Sequence, residues 1–303
     1  MTGSPPERRI SIDTGDSCLR GQFSAMASPC EVLIETNDRD EAFELTKTAA
    51  AETWRIEDKF SRYLSGNIVD RINRADGDPI KVDPETSQLI DFASTLYELS
   101  EGQFDITSGV LREVWQFDGS DNIPSEKSVE RVLTNVGWHR VSWASPLLRM
   151  KPGMEIDFGG IGKEYAVDRV AGMLREATTA SCLVNFGGDL VATRSPARRK
   201  AWSVGIEAIS GKVATAEKVL SLQVGALATS GDARRFLQSD GIRYSHILDP
   251  KTGWPIPDAP RSVTVAADTC VQAGMLSTLA MLKGAQAERF LDAQQQRYWC
   301  RRE

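Results

Sequence analysis

Residues 157–168 read DFGGIGKEYAVD, and this stretch predicts a strand that ends in a carboxylate, a glycine-rich turn and the start of a helix. Glycines allow backbone N–H groups to approach a ligand closely, and the N-terminus of a helix favours anions. Lys163 would add a point charge for a phosphate group. The stretch therefore has two interpretations, an anion-binding turn or a tight strand-to-helix turn that carries a surface lysine.

The spacing of this stretch excludes two common nucleotide-binding loops. A Walker A loop requires glycine at position 157 and serine or threonine at position 164, where this chain has Asp157 and Glu164. The dinucleotide-binding fingerprint requires a third glycine at position 165, which is Tyr165. The glycine-rich turn therefore belongs to neither class.

Around this turn, hydrophobic periodicity and turn residues predict a mixture of helices and strands. Helices are predicted at 40–60, from 84 to near 102, and at 125–136, 164–177, 272–282 and 285–291. Strands are predicted at 30–36, 182–186, 202–208, 219–224 and 262–266, with two short strands within 147–158 about the turn at 152–153. Because strands and helices do not alternate strictly, the fold class is α+β rather than a doubly wound parallel sheet. Residues 1–20 are expected to be a flexible N-terminal tail, and residues 21–303 one compact domain.

The composition excludes several classes of function. The 303 residues include 36 basic and 42 acidic side chains, and the resulting formal charge of −6 argues against general nucleic-acid binding. Two histidines and five scattered cysteines without a C-x-x-C pair argue against a His-rich or Cys-rich metal centre and against a disulfide framework. Neither a signal peptide nor a membrane-spanning segment is readable in the sequence, so we expect a cytoplasmic protein.

Several other segments could carry chemistry, and most of them also have a structural interpretation. Residues 185–189, NFGGD, are typical of a strand that ends in a glycine turn, for which a plain hairpin is the favoured interpretation. Residues 228–232, ATSGD, place small hydroxyl side chains beside glycine, and residues 244–255, YSHILDPKTGWP, combine His246 with a turn sequence. Residues 273–279, AGMLSTL, fall on a predicted helix, where a small-residue packing face is the favoured interpretation.

Taken together and in this order, the segments resemble the FAD:protein FMN transferase (ApbE) family over roughly residues 23–292. Further matching blocks are FSRY at 60–63, NRA at 73–75, GQFDIT at 102–107 and LREVWQF at 111–117. The resemblance implies an α+β, T-fold-like fold of two lobes with a flavin cleft. It also implies a Mg²⁺-dependent reaction in which FAD is split at its pyrophosphate. FMN is passed to a Ser or Thr hydroxyl of an acceptor flavoprotein and AMP is released, although some members instead hydrolyse FAD to FMN and AMP.

Carried over residue by residue, the resemblance assigns site residues to this chain. FAD contacts are expected from Met26, Gln103, Phe104, Asp105, Asp157, Lys163, Ser230, Gly231 and His246. The base that activates the acceptor hydroxyl is expected to be His246 or Asp157. The backbone carbonyl of Gly160 and the hydroxyl of Thr278 are expected to ligate Mg²⁺.

The chain departs from the family pattern at three places. The family holds its metal with an Asp and a Thr four residues apart on one helical face, and here Gly274 replaces that Asp before Thr278. Without the carboxylate we expect weak or absent Mg²⁺ binding by protein groups. Glu164 stands where the family usually has glycine, and either compensates for the lost acid or caps the helix. Residues 26–28, MAS, replace a Met-Gly-Thr block and lose its glycine.

Three hypotheses follow for the function. The first is an active FAD:protein FMN transferase, which most of the matching cleft residues favour. The alternative is a catalytically impaired relative that binds or stores FAD, which Gly274 favours. The third is a structural or regulatory protein that uses the fold without flavin, and the set of retained site residues argues against it.

Overall fold

The computed structural model describes residues 8–15, 17–207, 216–232 and 235–302. Contacts within the chain divide it into two compact units, each assembled from three separate segments. The first unit consists of the chain up to Asp58, Ile161–Thr229 and Val265–Gly274. The second unit consists of Lys59–Gly160, Ser230–Thr264 and the chain from Met275 onwards.

Helices and strands are mixed along the described chain. The α-helices are α1 (Arg39–Phe60), α2 (Ile68–Asn73), α3 (Pro84–Leu99), α4 (Glu126–Leu133), α5 (Gly162–Ala177), α6 (Cys270–Leu282) and α7 (Ala287–Ala293). Short 3-10 helices span Ile106–Glu113, Trp138–Arg140 and Gly284–Gln286. The strands are β1 (Ser11–Thr14), β2 (Leu19–Ala25), β3 (Ser28–Ile34), β4 (Ile80–Lys81), β5 (Ser142–Ala144), β6 (Leu147–Arg149), β7 (Cys182–Phe186), β8 (Asp189–Ala192), β9 (Trp202–Glu207), β10 (Ala216–Leu222), β11 (Gly225–Gly231), β12 (Phe236–Ser239), β13 (Ile242–Ser245), β14 (Ser262–Ala267) and β15 (Arg297–Arg301).

The first unit is built on a sheet with strand order β1-β2-β3-β7-β8-β11, and β14 follows β11. The pairs from β1 to β11 are antiparallel. Residues of β3 alternate between buried and more exposed positions, with Cys30, Val32 and Ile34 buried. This alternation fits a strand with one face against the core. Helix α5 packs on β7 and β8 through buried residues that include Val167 and Val170, so its N-terminal turn is held at this sheet.

The second unit combines helices with small sheets. Strands β4, β6 and β5 form a three-stranded sheet in that order, and β12 pairs with β13. One buried cluster joins the first 3-10 helix, α4 and β12, and its members are Val110, Leu111, Trp115, Val129, Val132, Val136 and Leu237. Trp115 also donates a hydrogen bond from Nε1 to the carbonyl of Gly253, at 2.8 Å, which fixes the 249–254 turn to the cluster.

The α+β fold class is confirmed, and so are the strongest predicted elements. Strand β7 has the predicted bounds of 182–186. Asp83 caps α3 by accepting hydrogen bonds from the N–H groups of Glu85 and Thr86, and Ser125 caps α4. These helix starts were readable because short polar side chains satisfy the free N–H groups of a first turn. The strand predicted at 202–208 is β9, and its last predicted residue, 208, lies outside the described residues.

The prediction of two short strands within 147–158 is wrong in its second half. Leu147–Arg149 forms β6, which pairs with β4 and β5, but residues 154–158 form no strand. The reason is that the side chain of Asn73 forms the hydrogen bonds that a neighbouring strand would otherwise form with Ile156. Asn73 accepts from the N–H of Ile156 at 2.8 Å and donates to its carbonyl at 3.1 Å. The backbone N–H and carbonyl groups of Ile156 are therefore both hydrogen-bonded without a neighbouring strand.

The predicted flexible tail at 1–20 differs from the structure over its later part. Residues 11–14 form β1 and pair with β2, which begins at Leu19. Side chains of β1 are mostly exposed, so hydrophobic alternation gave no signal there. Residues 1–7 and 16 lie outside the described residues, and a single domain over 21–303 stays a prediction. Among the described residues, none of the helices combines the length and the apolar character needed to cross a membrane.

The turn between β2 and β3 yields a stability prediction. Met26 and Ala27 have φ values of +51° and +54°, which only glycine adopts without steric strain. We expect Ala27→Gly to raise the free energy of unfolding by about 0.5–1 kcal/mol, because the strain at this position is removed. Urea unfolding measures the change. Ala25→Gly, at a buried strand position one step before the turn, is the control and should destabilise.

Candidate functional site

In the first unit, Lys163 lies on the first turn of α5 and forms an ion pair with Asp189, the first residue of β8. Its Nζ is 2.8 Å from Oδ2 of Asp189. Asp189 is 2% exposed and also accepts from the N–H of Thr229 at 3.0 Å. Burial alone would lower the pKa of Lys163, but the Asp189 carboxylate outweighs burial and raises it. The lysine is thus a charged, partly buried side chain, and the interpretation as a surface lysine is wrong.

Glu164, the next residue, is directed at the beginning of α6. A Cβ atom added to Gly274 would lie 2.5 Å from Cγ of Glu164 and 2.9 Å from its Oε1. One helical turn further along α5, Asp168 accepts from the N–H groups of Cys270 and Val271, both at 2.8 Å, and so caps α6. The Glu164 side chain therefore fills the space in front of residue 274.

The Glu164 carboxyl group is held in an unfavourable electrostatic environment. Its side chain is 9% exposed, and Oε2 is buried without a hydrogen-bond partner. Burial, followed by the nearby Asp189 carboxylate, raises its pKa to about 8, and Lys163 only partly opposes this. Among the described residues, no group of three or more His, Cys, Asp or Glu side chains forms a ready metal cluster.

The NFGGD segment forms the predicted hairpin and meets two other candidate segments in the first unit. Strands β7 and β8 pair across Gly187 and Gly188, which have φ values of +63° and +102°. A Cβ at Gly187 would lie 2.8 Å from Oγ of Ser28 and 3.8 Å from Nζ of Lys163. The backbone N–H of Met26 donates to Glu57 at 2.6 Å, which ties the turn before Ser28 to α1. The structure thus places the segment at 26–28 and the hairpin beside Lys163.

In the second unit, three hydroxyl groups form a cluster between the end of β11 and α6. Oγ of Ser230 lies 2.8 Å from Oγ of Ser277 and 2.9 Å from Oγ1 of Thr278. Gly231 follows Ser230 as the last residue of β11. The late helix is therefore more than a small-residue packing face, because it presents two adjacent hydroxyls to Ser230.

The GQFDIT block is anchored firmly within the second unit. Asp105 accepts from the N–H and hydroxyl of Thr107, at 2.8 and 2.6 Å, and from the N–H of Trp138 at 2.9 Å. Gln103 donates to the carbonyl of Leu282 at 3.1 Å, whereas its Oε1 is buried without a partner. Phe104 is buried, and its ring lies 3.0 Å from where a Cβ at Gly160 would be. Asp105 thus acts as a structural anchor for its loop.

Asp157 and His246 are in different environments within the second unit. Asp157 pairs with the guanidinium group of Arg62 at 2.7 Å, and its other oxygen accepts from the N–H of Gly159 at 2.9 Å. Nδ1 of His246 lies 3.1 Å from the carbonyl of Arg235, so Nδ1 carries the hydrogen and Nε2 keeps its lone pair. Burial lowers the pKa of His246, which keeps the ring neutral at pH 7.

Three polar side chains that pair with site residues were not predicted from the sequence. Arg62 lies in the FSRY block, Asp189 closes the NFGGD segment, and Ser277 adjoins Thr278. The sequence did indicate the position of Asp189, because a residue directly after a Gly-Gly turn lies at the start of the second strand of a hairpin. No spacing rule linked any of these side chains to its distant partner, 26 to 95 positions away in the chain, so only the structure reveals the pairs.

Comparisons with known proteins agree in pointing to one family. Residues 26–300 match the ApbE family. The FAD:protein FMN transferase of Vibrio cholerae is 30% identical over 235 residues, which cover 76% of this chain and 70% of the relative. The ApbE protein of Thermotoga maritima has a crystal structure that is 30% identical, covers 93% of this chain and 94% of its own, and gives a TM-score of 0.83. The Pseudomonas stutzeri flavinyl transferase ApbE, in its apo form, is 27% identical, covers 97% and 91%, and gives a TM-score of 0.79.

The raised pKa of Glu164 gives a pH dependence of stability. Because the folded state holds this proton up to about pH 8 and the unfolded state releases it near 4.5, stability falls as pH rises between these values. The slope is at most about 1.4 kcal/mol per pH unit. In urea unfolding with EDTA, we expect Glu164→Gln to flatten the profile between pH 6 and 8. Glu176→Gln, on the exposed end of the same helix, should leave the pH dependence unchanged. If the free energy of unfolding varies with pH equally in both variants, the pH dependence does not come from Glu164.

Proposed function

The chain belongs to the ApbE family, and from that membership we infer that it is an FAD:protein FMN transferase. The observation that carries this inference is the family match over residues 26–300, which spans nearly all of the described chain. FAD is the donor substrate and a protein is the acceptor. The alternative of an FAD-storage protein is not favoured, because the related proteins are named as transferases.

The reaction transfers a phosphoryl-linked flavin between two oxygen atoms. A hydroxyl oxygen of the acceptor forms a bond to the phosphorus of the FMN half, and the pyrophosphate P–O bond to AMP breaks. The hydroxyl proton goes to a base, and AMP leaves with the bridging oxygen. We propose that the accepting hydroxyl belongs to a Ser or Thr side chain, as the family resemblance implies.

We assign the base to His246. Its neutral ring has the hydrogen on Nδ1, which donates to the Arg235 carbonyl, and this leaves Nε2 able to take up a proton. The alternative base, Asp157, is engaged by Arg62 at 2.7 Å and by the N–H of Gly159, so its oxygens are already in use. The geometry of the second unit therefore favours the histidine.

Lys163 and the backbone around Gly187 are proposed to contact the anionic part of FAD. Lys163 is charged, and Asp189 fixes its position on the first turn of α5. A side chain at Gly187 would collide with Ser28, so backbone stays uncovered beside the ammonium group. Met26, Gln103, Phe104, Ser230 and Gly231 remain proposed FAD contacts on the strength of the resemblance.

The chain offers oxygen donors of the kinds that a magnesium ion prefers. Thr278 offers a hydroxyl within the Ser230 cluster and Gly160 a backbone carbonyl, and Mg²⁺ prefers oxygen ligands that include a carboxylate. Within the first unit, taken by itself, Glu164 offers a carboxylate oxygen, because its buried Oε2 lacks a hydrogen-bond partner. When bound, Mg²⁺ would neutralise charge on the pyrophosphate.

A transfer assay tests the function. The purified chain is incubated with FAD, Mg²⁺ and an acceptor protein that the Vibrio cholerae relative modifies. We expect covalent flavin on a Ser or Thr, detected by in-gel fluorescence and peptide mass, with one AMP released for each flavin attached. Free FMN with AMP would instead indicate a hydrolase, and tightly bound intact FAD without AMP would favour the storage protein.

A substitution of His246 tests its role as the base. We expect His246→Gln to lower kcat of transfer roughly 100-fold or more, because general-base catalysis contributes about 10²–10⁴. The wild-type rate should fall on acidification only below about pH 6.5, since burial lowers the pKa of this ring. The variant should lack this acidic limb. His139→Gln is the matched control, and an unchanged pH profile in His246→Gln would exclude the assignment.

A further inference from the structure

The contact between α5 and the first residues of α6 consists of two matched interactions in the first unit. Asp168 binds the N–H groups of Cys270 and Val271, and Glu164, one turn earlier on α5, meets Gly274, one turn later on α6. The two chain segments therefore run in opposite directions at this contact. Positions 164 and 274 face each other as a consequence of the Asp168 cap.

Only one of these two facing positions can carry a side chain in this arrangement. The Cβ of any residue at 274 would lie 2.5 Å from Cγ of Glu164, a distance that real Cβ atoms do not tolerate. Gly274 belongs to the interior of a helix, where glycine lowers stability relative to alanine because it loses more backbone freedom on folding. The glycine is explained by the glutamate in front of it. A side chain lost from α6 is matched by a side chain present on α5.

One oxygen of the carboxyl group at this place lacks a hydrogen-bond partner. Oε2 of Glu164 is buried without a hydrogen bond, which is unfavourable for a polar oxygen. The carboxylates of Asp189 and Asp168 add further negative charge around it. Lys163 acts on Glu164, but its ammonium group is already paired with Asp189. The environment is therefore one in which an additional cation would be stabilised.

We propose that Glu164 is the carboxylate ligand of the divalent cation, and that it takes over from α5 the role of an acidic side chain at position 274 of α6. A carboxylate oxygen is the protein ligand that Mg²⁺ most often uses, and the free Oε2 atom is available for it. This inference rests on the proposed function, because the transfer reaction is what requires the cation. A single change, the placement of the acidic side chain at position 164 instead of position 274, explains both Glu164 and Gly274.

Cation binding by the full chain tests the proposal without any measurement of turnover. Mn²⁺ is used as the probe and is titrated against the protein, first alone and then with saturating FAD, while electron paramagnetic resonance measures free Mn²⁺. We expect Glu164→Gln to weaken Mn²⁺ binding at least about tenfold, because the amide keeps the shape of the side chain and loses its charge. Glu176→Gln, at an exposed position on α5, should bind as the wild type does.

Three further variants keep the test independent of folding defects. Gly274→Asp alone should lower the melting temperature, because the new side chain overlaps Glu164. Glu164→Gly alone should lose Mn²⁺ binding. The double variant Glu164→Gly with Gly274→Asp should recover both the melting temperature and Mn²⁺ binding, since the carboxylate is moved from one helix to the other.

The outcomes separate this proposal from the proposed function. Wild-type affinity for Mn²⁺ in Glu164→Gln, or no Mn²⁺ binding by the wild type with and without FAD, would overturn the proposal. If Mg²⁺-dependent transfer continues in Glu164→Gln, the transferase function stands and the assignment of Glu164 is wrong. If Mn²⁺ binding depends on Glu164 but the wild type transfers no flavin, the cation site stands and the proposed function fails.

Discussion

The ion pair between Lys163 and Asp189 is the interaction on which the candidate site of the first unit depends. Asp189 is almost completely buried, and removing the partner of a buried charge costs about 3–5 kcal/mol. Its two oxygens connect the first turn of α5 to β8 and, through the N–H of Thr229, to β11. The pair therefore fixes where α5 begins. Because Glu164 follows Lys163 directly, it also fixes the direction of the buried glutamate.

Polar side chains that satisfy backbone groups hold the site loops of the second unit. Asp105 accepts three hydrogen bonds from Thr107 and Trp138, and Asn73 binds both backbone groups of Ile156. Arg62 then pairs with Asp157 at the end of the same segment. In these segments without secondary structure, side chains form the hydrogen bonds to backbone groups that neighbouring strands form in a sheet. Such bonds are needed because a buried backbone N–H or C=O group requires a partner. They allow the residues before the glycine-rich turn to be ordered without secondary structure.

Local signals predicted much of the fold and the family but only part of the site. The helix starts at Asp83 and Ser125 and the hairpin at 187–188 were predictable, because capping and left-handed turns depend on residues a few positions apart. Strand β1 was missed because its side chains are mostly exposed. The second strand predicted within 147–158 was wrong because a side chain 83 positions away took the place of a strand.

Residue types in a fixed order were enough to indicate the family, the α+β class and the unusual residues Glu164 and Gly274. The sequence alone gave no information about contacts between distant residues. It could not decide whether the glutamate was a helix cap or a substitute for the missing acid. The tertiary structure narrowed that choice, since it places the Glu164 side chain in the space that a side chain at 274 would need. Likewise, the sequence left open whether Lys163 is an anion-binding or a surface lysine, and its ion pair with Asp189 became evident only in the structure. Both facts depend on contacts between residues distant in the chain, where burial and charge, rather than local propensity, set the outcome.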